Sequence, residues 1–330
     1  MTETKKIALI ILTYNGKEDT LECLESVSKI NYKNFKTFVV DNNSSDDSIQ
    51  CIEEKFNNQI TLIKNPNNDG FAEGNNVGIR KALKDNFDYF FLLNNDTIVD
   101  PNILDELVFA ADKKPNAGVL GPKSLYYENR NIIDHCGGFW NQKIGDFNSL
   151  DRGDLESDHA NEMKEVDYVS GCAFLIKKEV LEKIGLLEKR FFILWEETDF
   201  CFRAKKAGFE VWTTPRAKLW HKISQSFIGG KPHMHYYWWR NRLFWIKRNL
   251  SKKQKISLYI KRIFPDSIHM IKLYYIKFWQ YKFYQIFQKE KATKDKLEKI
   301  LRYRAGYKGI LDYFTKNFGI CNCLDKFKNL

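Results

Sequence analysis

Ile7–Ala8–Leu9–Ile10–Ile11–Leu12–Thr13–Tyr14–Asn15 is the stretch that decides the fold. Its apolar run is unbroken from Ile7 to Thr13, without the alternation of a strand that shows one face to water. An uninterrupted run of this length predicts a strand buried on both faces, as in a parallel sheet. It stops abruptly at Tyr14–Asn15. The same design recurs at Phe35–Val40, which ends in Asp41–Asn42–Asn43–Ser44, and at Tyr89–Leu93, which ends in Asn94–Asn95–Asp96–Thr97; Ile60–Ile63 is a further strand. Between the strands lie helical patterns: Glu18–Ser28 with Leu21, Leu24 and Val27, then Asp46–Phe56 with Ser44–Ser45–Asp46 as capping residues, then Gly74–Lys84. This alternation predicts a doubly wound α/β layout with crossover helices. In such sheets ligands bind outside the carboxyl ends of the strands, so the three polar endings converge on one crevice.

Working outward, a helix is expected from Pro101 to about Lys113, and strands at Gly118–Ser124 and Val166–Ile176. The polar, glycine-containing stretch 126–165 between them predicts a hairpin and loops. Helices follow at Lys178–Ile184 and at Glu197–Ala207, the latter stopped by Gly208, then a short strand at Val211–Thr213, and Trp220–His221 closes this region. From His235 the text changes to long helical stretches rich in Lys, Tyr, Trp and Phe. The expected organisation is one domain over 1–230, in two halves of about 1–115 and about 116–230, and a helical, basic and aromatic region over 231–330. The boundary falls near Gly229–Gly230.

Across 330 residues the chain is 43% hydrophobic and 29% charged, the composition of a folded protein with a sizeable core. Its net charge of +11 is unevenly spread. Residues 231–330 carry 24 Lys and Arg against 6 Asp and Glu, whereas the first 230 carry 29 against 36. A basic, aromatic tail on an acidic body predicts a peripheral membrane surface as partner rather than nucleic acid. The alternative is an ordinary solvated helical region. Seven scattered cysteines without metal-ligand spacing predict a reducing compartment, Cys321 and Cys323 being too close for an easy disulfide. MTETKK lacks the features of a signal peptide, and no apolar run approaches the 18 residues of a membrane span. The expected location is cytoplasmic, held peripherally to the inner face of the cell membrane; an oligomer is compatible with this reading.

The residues at the strand ends carry the chemistry. A G-x-G-x-x-G turn is missing after the first strand, where Thr13–Tyr14–Asn15–Gly16 stands, and this argues against a dinucleotide site. Asp41 closes a buried strand, where a carboxylate can accept hydrogen bonds from a nucleobase or ribose; its bland alternative is a helix cap. Asp96, after Asn94 and Asn95, is placed to hold Mg²⁺ or Mn²⁺ on a diphosphate, since these hard ions take carboxylate, phosphate and water oxygens. The stretch from Asn68 through Gly70 and Asn75 to Gly78 is a glycine-rich lead into a helix, suited to close backbone approach and to anions, though weak evidence alone. Glu196 and Glu197 open a helix after Trp195, which keeps a base ionised. Asp199 and Arg203, four apart, predict a structural pair. His221, in a short apolar stretch, is either packed or a metal and pyrophosphate ligand.

Together T-Y-N, V-D-N-x-S, N-x-x-G-F-A-x-G-N-N-x-G, L-N-N-D-T, Val169–Phe174, F-F-x-x-W-E-E-x-D-x-C-x-R and His221-x-x-Ser224 resemble glycosyltransferase family 2 in the GT-A fold, over about residues 5–245. The likeness is strongest to rhamnosyltransferase-type members. The resemblance implies an inverting, metal-dependent transfer of one sugar from a nucleoside-diphosphate sugar. It assigns Thr13, Tyr14, Asn15, Asp41, Asn43, Asn68 and Gly70 to the nucleotide and Asn75, Asn94 and Asn95 to the donor sugar. Asp96 and His221 match the positions at the Mg²⁺ or Mn²⁺, and Gly171 and Trp195 the acceptor side. Glu196–Glu197 matches the acidic pair that supplies the base. Two positions depart from the pattern: Glu188–Lys189 stands where a D-E pair is usual before F-F, and Glu73 replaces a common Gly. The Q-x-x-R-W signature and membrane spans of processive synthases are missing.

The expected reaction is an in-line displacement with Glu197, or Glu196, taking the proton of the acceptor hydroxyl. dTDP-rhamnose is the first donor to consider and a UDP-sugar the next; the expected acceptor is a glycan or polyprenyl-linked glycan of a cell-surface polysaccharide. The alternatives are a sugar nucleotidyltransferase, which would need a basic triphosphate loop, and a catalytically silent nucleotide-sugar-binding partner in an assembly.

Overall fold

A computed structural model describes residues 4–156, 162–222 and 231–321. The chain divides into two compact units. The first comprises Met1–Phe139, Phe147–Phe192 and Glu196–Ile223; the second comprises Trp140–Asp146, Ile193–Trp195 and Ser224–Leu330. Gly229–Gly230, Ser224 and Cys323 lie outside the described residues.

In the first unit the strands β1 (Ile7–Thr13), β2 (Phe35–Asp41), β3 (Ile60–Lys64) and β4 (Tyr89–Asn94) alternate with α1 (Lys17–Val27), α2 (Ser48–Phe56) and α3 (Gly70–Ala82). Then come β5 (Thr97–Val99), α4 (Ile103–Lys113), β6 (Ala117–Tyr126), β7 (Ile133–His135), β8 (Gly138–Asn141), β9 (Asp146–Ser149), β10 (Ala173–Lys177), α5 (Lys178–Ile184), α6 (Glu196–Lys206) and β11 (Glu210–His221). The main sheet runs β3-β2-β1-β4-β10-β6-β11-β5, with β7 on β6. Its first four strands are parallel, as the apolar runs predict. β10 then enters antiparallel between β4 and β6, so the sheet is mixed.

Both faces of this sheet are covered, which explains why its strands do not alternate in polarity. Ile7, Leu9, Ile11, Val39, Phe91 and Leu93 face a core built with Leu24, Val27 and Leu107. Their neighbours Ala8, Ile10, Phe38, Val40, Phe90 and Leu92 face a second core built with Ile79, Phe174 and Phe200. Each such aliphatic or aromatic side chain contributes roughly 1.5–3 kcal/mol on burial. Register lays the polar endings side by side: Thr13 pairs with Asp41, and Leu12 with Asn94.

Three expectations shift. The third helix starts at Gly70, not Gly74. The strand expected over Val166–Ile176 begins only at Ala173, and the short strand expected at Val211–Thr213 extends over Glu210–His221. Cys321 is disulfide-bonded, against the expectation of reduced cysteines, while Cys23, Cys51, Cys136, Cys172 and Cys201 are free.

The second unit is helical: α7 (Pro232–Asn249), α8 (Lys252–Leu258), α9 (Phe264–Phe287) and α10 (Lys294–Phe314). A π-turn, Tyr259–Ile263, joins α8 to α9 without a break. The core holds Trp245, and Tyr236 and Tyr237 beside a fully buried Arg240, whose guanidinium donates to the Gly319 carbonyl at 2.6 Å and lies over both tyrosine rings. Part of the aromatic excess is thus core, while Tyr275, Trp279 and Phe283 are exposed. Among the described residues no helix is long and apolar enough to cross a membrane.

Candidate active site

The crevice is built on the ends of β1, β2 and β4. Asp41 is fully buried; its Oδ2 accepts the Ser44 amide at 3.1 Å, and its Oδ1 has no hydrogen-bond partner among the described residues. A buried, half-satisfied carboxylate at a strand end has a spare acceptor for a ligand N–H or O–H. Asn15 and Asn43 hold left-handed backbone, and Asn15 is locked to the next strand end: its amide donates to Ser44 Oγ at 2.9 Å and its Oδ1 accepts the Ser45 amide at 2.7 Å. Tyr14 stands half exposed beside them.

Several of the predicted polar residues bond to the protein's own framework. Thr13 Oγ1 and Thr20 Oγ1 lie 2.8 Å apart, and the Asn95 amide donates to Thr20 at 2.9 Å. Asn75 donates to the Phe71 carbonyl at 3.0 Å. Asn68 Oδ1 accepts from Asn42 at 2.9 Å and from the Gly70 amide at 3.0 Å. Asn42, which the sequence reading passed over, is the hub here, since its Oδ1 also accepts the Asn65 amide at 3.0 Å. Gly70 is required for two reasons: its φ is +78°, and a Cβ there would meet the Phe192 carbonyl at 2.5 Å. That carbonyl accepts the Phe71 amide at 2.6 Å, so the start of α3 is capped by the chain itself. Gly74 and Gly78 face the sheet, where a Cβ would lie 2.5 Å from Leu12 and Ile10 respectively. The glycines thus serve close helix–sheet packing, a use the spacing alone did not reveal.

Asp96 follows β4 and is buried. β11 pairs with β5 so that His221 sits opposite Thr97, and His221 Nε2 lies 3.5 Å from Asp96 Oδ1. On its other side His221 Nδ1 meets Asp134 Oδ2 at 3.0 Å. Burial pulls the imidazole down, but its hydrogen bonds to Asp134 and Asp96 outweigh that and push it up to about 11. Burial raises Asp134, yet His221 and then Arg152 hold it below the usual carboxylate range. Lys222 adds a cation bonded to Asp19 and Glu22. Among the described residues no group of three His, Cys, Asp or Glu has metal-holding geometry. The Asp96–His221 pair nevertheless has suitable donors once a bound cation displaces the imidazole proton: one carboxylate, one imidazole, and a second carboxylate orienting the imidazole, the usual support of a metal-bound histidine. Mg²⁺ and Mn²⁺ commonly take one or two such ligands and draw the rest from phosphate and water. Asp134 and Lys222 were missed; the apolar Ile132–Ile133 running into Asp134–His135 was the available signal.

The acidic pair comes in beside β4. The Asn94 amide donates to the Cys172 carbonyl at 2.8 Å, and a Cβ on Gly171 would lie 3.4 Å from Glu197 Cγ. Glu196 is buried and Glu197 half-buried in the first turn of α6. Asp199 and Arg203 form the expected pair at 2.8 Å. Phe192, Leu194 and Trp195 all have positive φ just before α6. Leu194 and Trp195 belong to the second unit, where the Asn241 amide holds the Ile193 and Leu194 carbonyls at 2.7 and 2.9 Å. Trp195 packs there against Trp238 and Trp245.

The mixed sheet with its polar strand ends defines a GT-A fold. It is similar to GalNAc-T7 crystallised with UDP, GalNAc and Mn²⁺, with a TM-score of 0.63 at 13% identity over 96% of this chain and 57% of that one. Residues 8–185 match the model of glycosyl transferase family 2, and the chain belongs to that family. It is 27% identical to a Haloferax volcanii low-salt glycan biosynthesis hexosyltransferase, Agl10, over 62% of this chain, and spans 63% of that protein's length. It is 24% identical to the Shigella flexneri dTDP-rhamnosyl transferase RfbF, over 74% of this chain and 80% of RfbF. It is also 24% identical to the N-acetylglucosaminyl-diphospho-decaprenol L-rhamnosyltransferase of Mycobacterium tuberculosis, over 74% of this chain and 90% of that one.

Proposed function

We propose that this chain is an inverting glycosyltransferase that moves one sugar, rhamnose from dTDP-rhamnose or a hexose from a UDP-sugar, to a hydroxyl of a glycan or polyprenyl-linked glycan. The reading places the work in polysaccharide synthesis at the inner face of the cell membrane. The observation that carries it is the placement, within a family 2 fold, of Asp41 at the end of β2 and of Asp96 just after β4, the two strands that flank β1.

In this reading Asp41 takes the nucleoside through its spare oxygen, with Tyr14 beside it. Asp96 and His221 hold a divalent cation, which when bound offsets negative charge on the diphosphate. Asp134 orients the imidazole from behind. Glu197 is the base: it is the more open of the pair and lies beside Gly171, whereas Glu196 is buried. It removes the acceptor proton as the hydroxyl attacks the anomeric carbon from the face opposite the leaving diphosphate, and the configuration inverts. Its half-buried carboxylate lies in the first turn of α6, where the helix dipole favours negative charge.

Purified full-length protein with Mn²⁺ and a panel of nucleotide sugars tests this. Glu197→Gln is expected to lower kcat by roughly 10²–10⁴ with donor binding kept, and Asp96→Ala to remove metal-dependent turnover in a folded protein. Full activity in both variants overturns the site. Loss in Glu196→Gln with Glu197→Gln active moves the base by one residue.

A further inference from the structure

Residues 252–287 form one uninterrupted helical rod, α8 running through the π-turn into α9. At about 1.5 Å per residue it is some 54 Å long. One side of α9 packs inward through Ser267, Met270 and Tyr281. A helix of this kind normally turns a polar face to water. Here the outward face is apolar: Phe264, Ile268, Tyr275, Trp279, Phe283 and Ile286 are all exposed, Ile268, Trp279 and Ile286 by about two-thirds (65%, 66% and 67%). The steps from 264 to 268, 275, 279 and 286 are four, seven, four and seven, so these residues share one stripe of a 3.6-residue period. Ile256 and Ile260 continue the exposed apolar residues toward the start of the rod. An exposed apolar band of this extent marks an interaction surface.

The charge around the stripe selects the partner. Residues 252–287 hold eight Lys and Arg against the single acid Asp266. Two such faces brought together would stack like charges, whereas anionic headgroups complement them. Lys272 and Lys282 fall 80° apart at 100° per residue on the helical wheel, within the arc that the stripe spans. Tryptophan and tyrosine at such a boundary suit the water–lipid interface.

We infer that this stripe is a bilayer-docking face: the rod lies flat on an anionic membrane, inserts Phe264, Ile268, Tyr275, Trp279, Phe283 and Ile286 to the level of the acyl boundary, and sets Lys272 and Lys282 on lipid phosphates. An interfacial helix buries its apolar side only 5–10 Å deep, by the general behaviour of this class. The inference deepens the proposed membrane-side reaction and rests on it for its purpose, but docking is measured without donor or acceptor, so the two readings fail separately.

The test is sedimentation of the full-length protein with vesicles of phosphatidylcholine alone or with phosphatidylglycerol, at low and high salt, following Trp emission. Partition onto the anionic vesicles at least about tenfold above the neutral ones is expected, weakened by salt. Lys272→Gln with Lys282→Gln should lose roughly thirty-fold, about fivefold for each lysine. Trp279→Glu with Ile286→Glu should abolish partition with an unchanged melting curve, since both side chains are exposed. Equal partition onto both vesicles, or onto neither, overturns the inference. So does a wild-type dimer that Trp279→Glu with Ile286→Glu splits while no vesicle binding is seen, which would give the face to a second copy of the chain.

Discussion

Asp134 is the residue whose role is clearest from geometry and least visible in the text. It sits on a three-residue strand, Ile133–His135, inside a stretch whose polarity and glycines predicted a hairpin and loops without fixing the strand's place. Only pairing of that strand with β6 brings it to His221, 87 positions further on. If Asp96 and His221 hold a cation, Asp134 fixes which imidazole nitrogen faces it. Asp134→Asn is therefore expected to weaken Mn²⁺ affinity by about 10–100-fold, measured by electron paramagnetic resonance with a nucleoside diphosphate present. The metal-free melting curve serves as the check on folding. Unchanged affinity would leave Asp134 as scaffold for His221 alone. Asp96 and His221 themselves were legible because one ends an apolar strand and the other closes an apolar stretch. Their support was not, because contacts between distant short strands leave no periodic trace in a sequence.

At the level of elements, the parallel half of the sheet was readable because burial on both faces forces uninterrupted apolar runs. The antiparallel entry of β10 was not, since an apolar run carries no direction. Glycines show the same divide. The spacing of Gly70, Gly74 and Gly78 looked like a ligand cradle, yet Gly74 and Gly78 let α3 lie close on β1, and Gly70, at positive φ, leaves room for the Phe192 carbonyl that accepts the Phe71 amide. Close packing makes a sharp prediction. Gly78→Ala puts a Cβ 2.5 Å from Ile10 Cγ2 and 3.1 Å from Val40 Cγ2. The helix must shift, at a cost of about 1–3 kcal/mol, the usual range for overpacking. The melting temperature should fall by several degrees, since about 2–4 °C is lost per kcal/mol in a domain of this size. Nucleotide binding in the surviving folded protein should persist. Lost binding without lost stability would return Gly78 to the ligand.

For the whole molecule, the charge is unevenly divided along the chain. The acidic first 230 residues hold the candidate site, and the basic remainder offers the exposed apolar stripe. Tethering a catalytic unit to the surface that carries its acceptor raises the acceptor's effective concentration without any new contact at the reaction centre. The benefit therefore exists only for an acceptor in the same membrane. With a polyprenyl-diphosphate glycan in anionic vesicles, Trp279→Glu with Ile286→Glu should cut transfer by about a hundredfold or more. With a short, water-soluble acceptor bearing the same sugar, the same protein should match wild type, because neither side chain belongs to the crevice at the ends of β1, β2 and β4. Equal losses on both acceptors would mean that the stripe supports the catalytic fold. Equal retention on both would mean that the enzyme meets its acceptor from solution, and the basic helices would then need another partner.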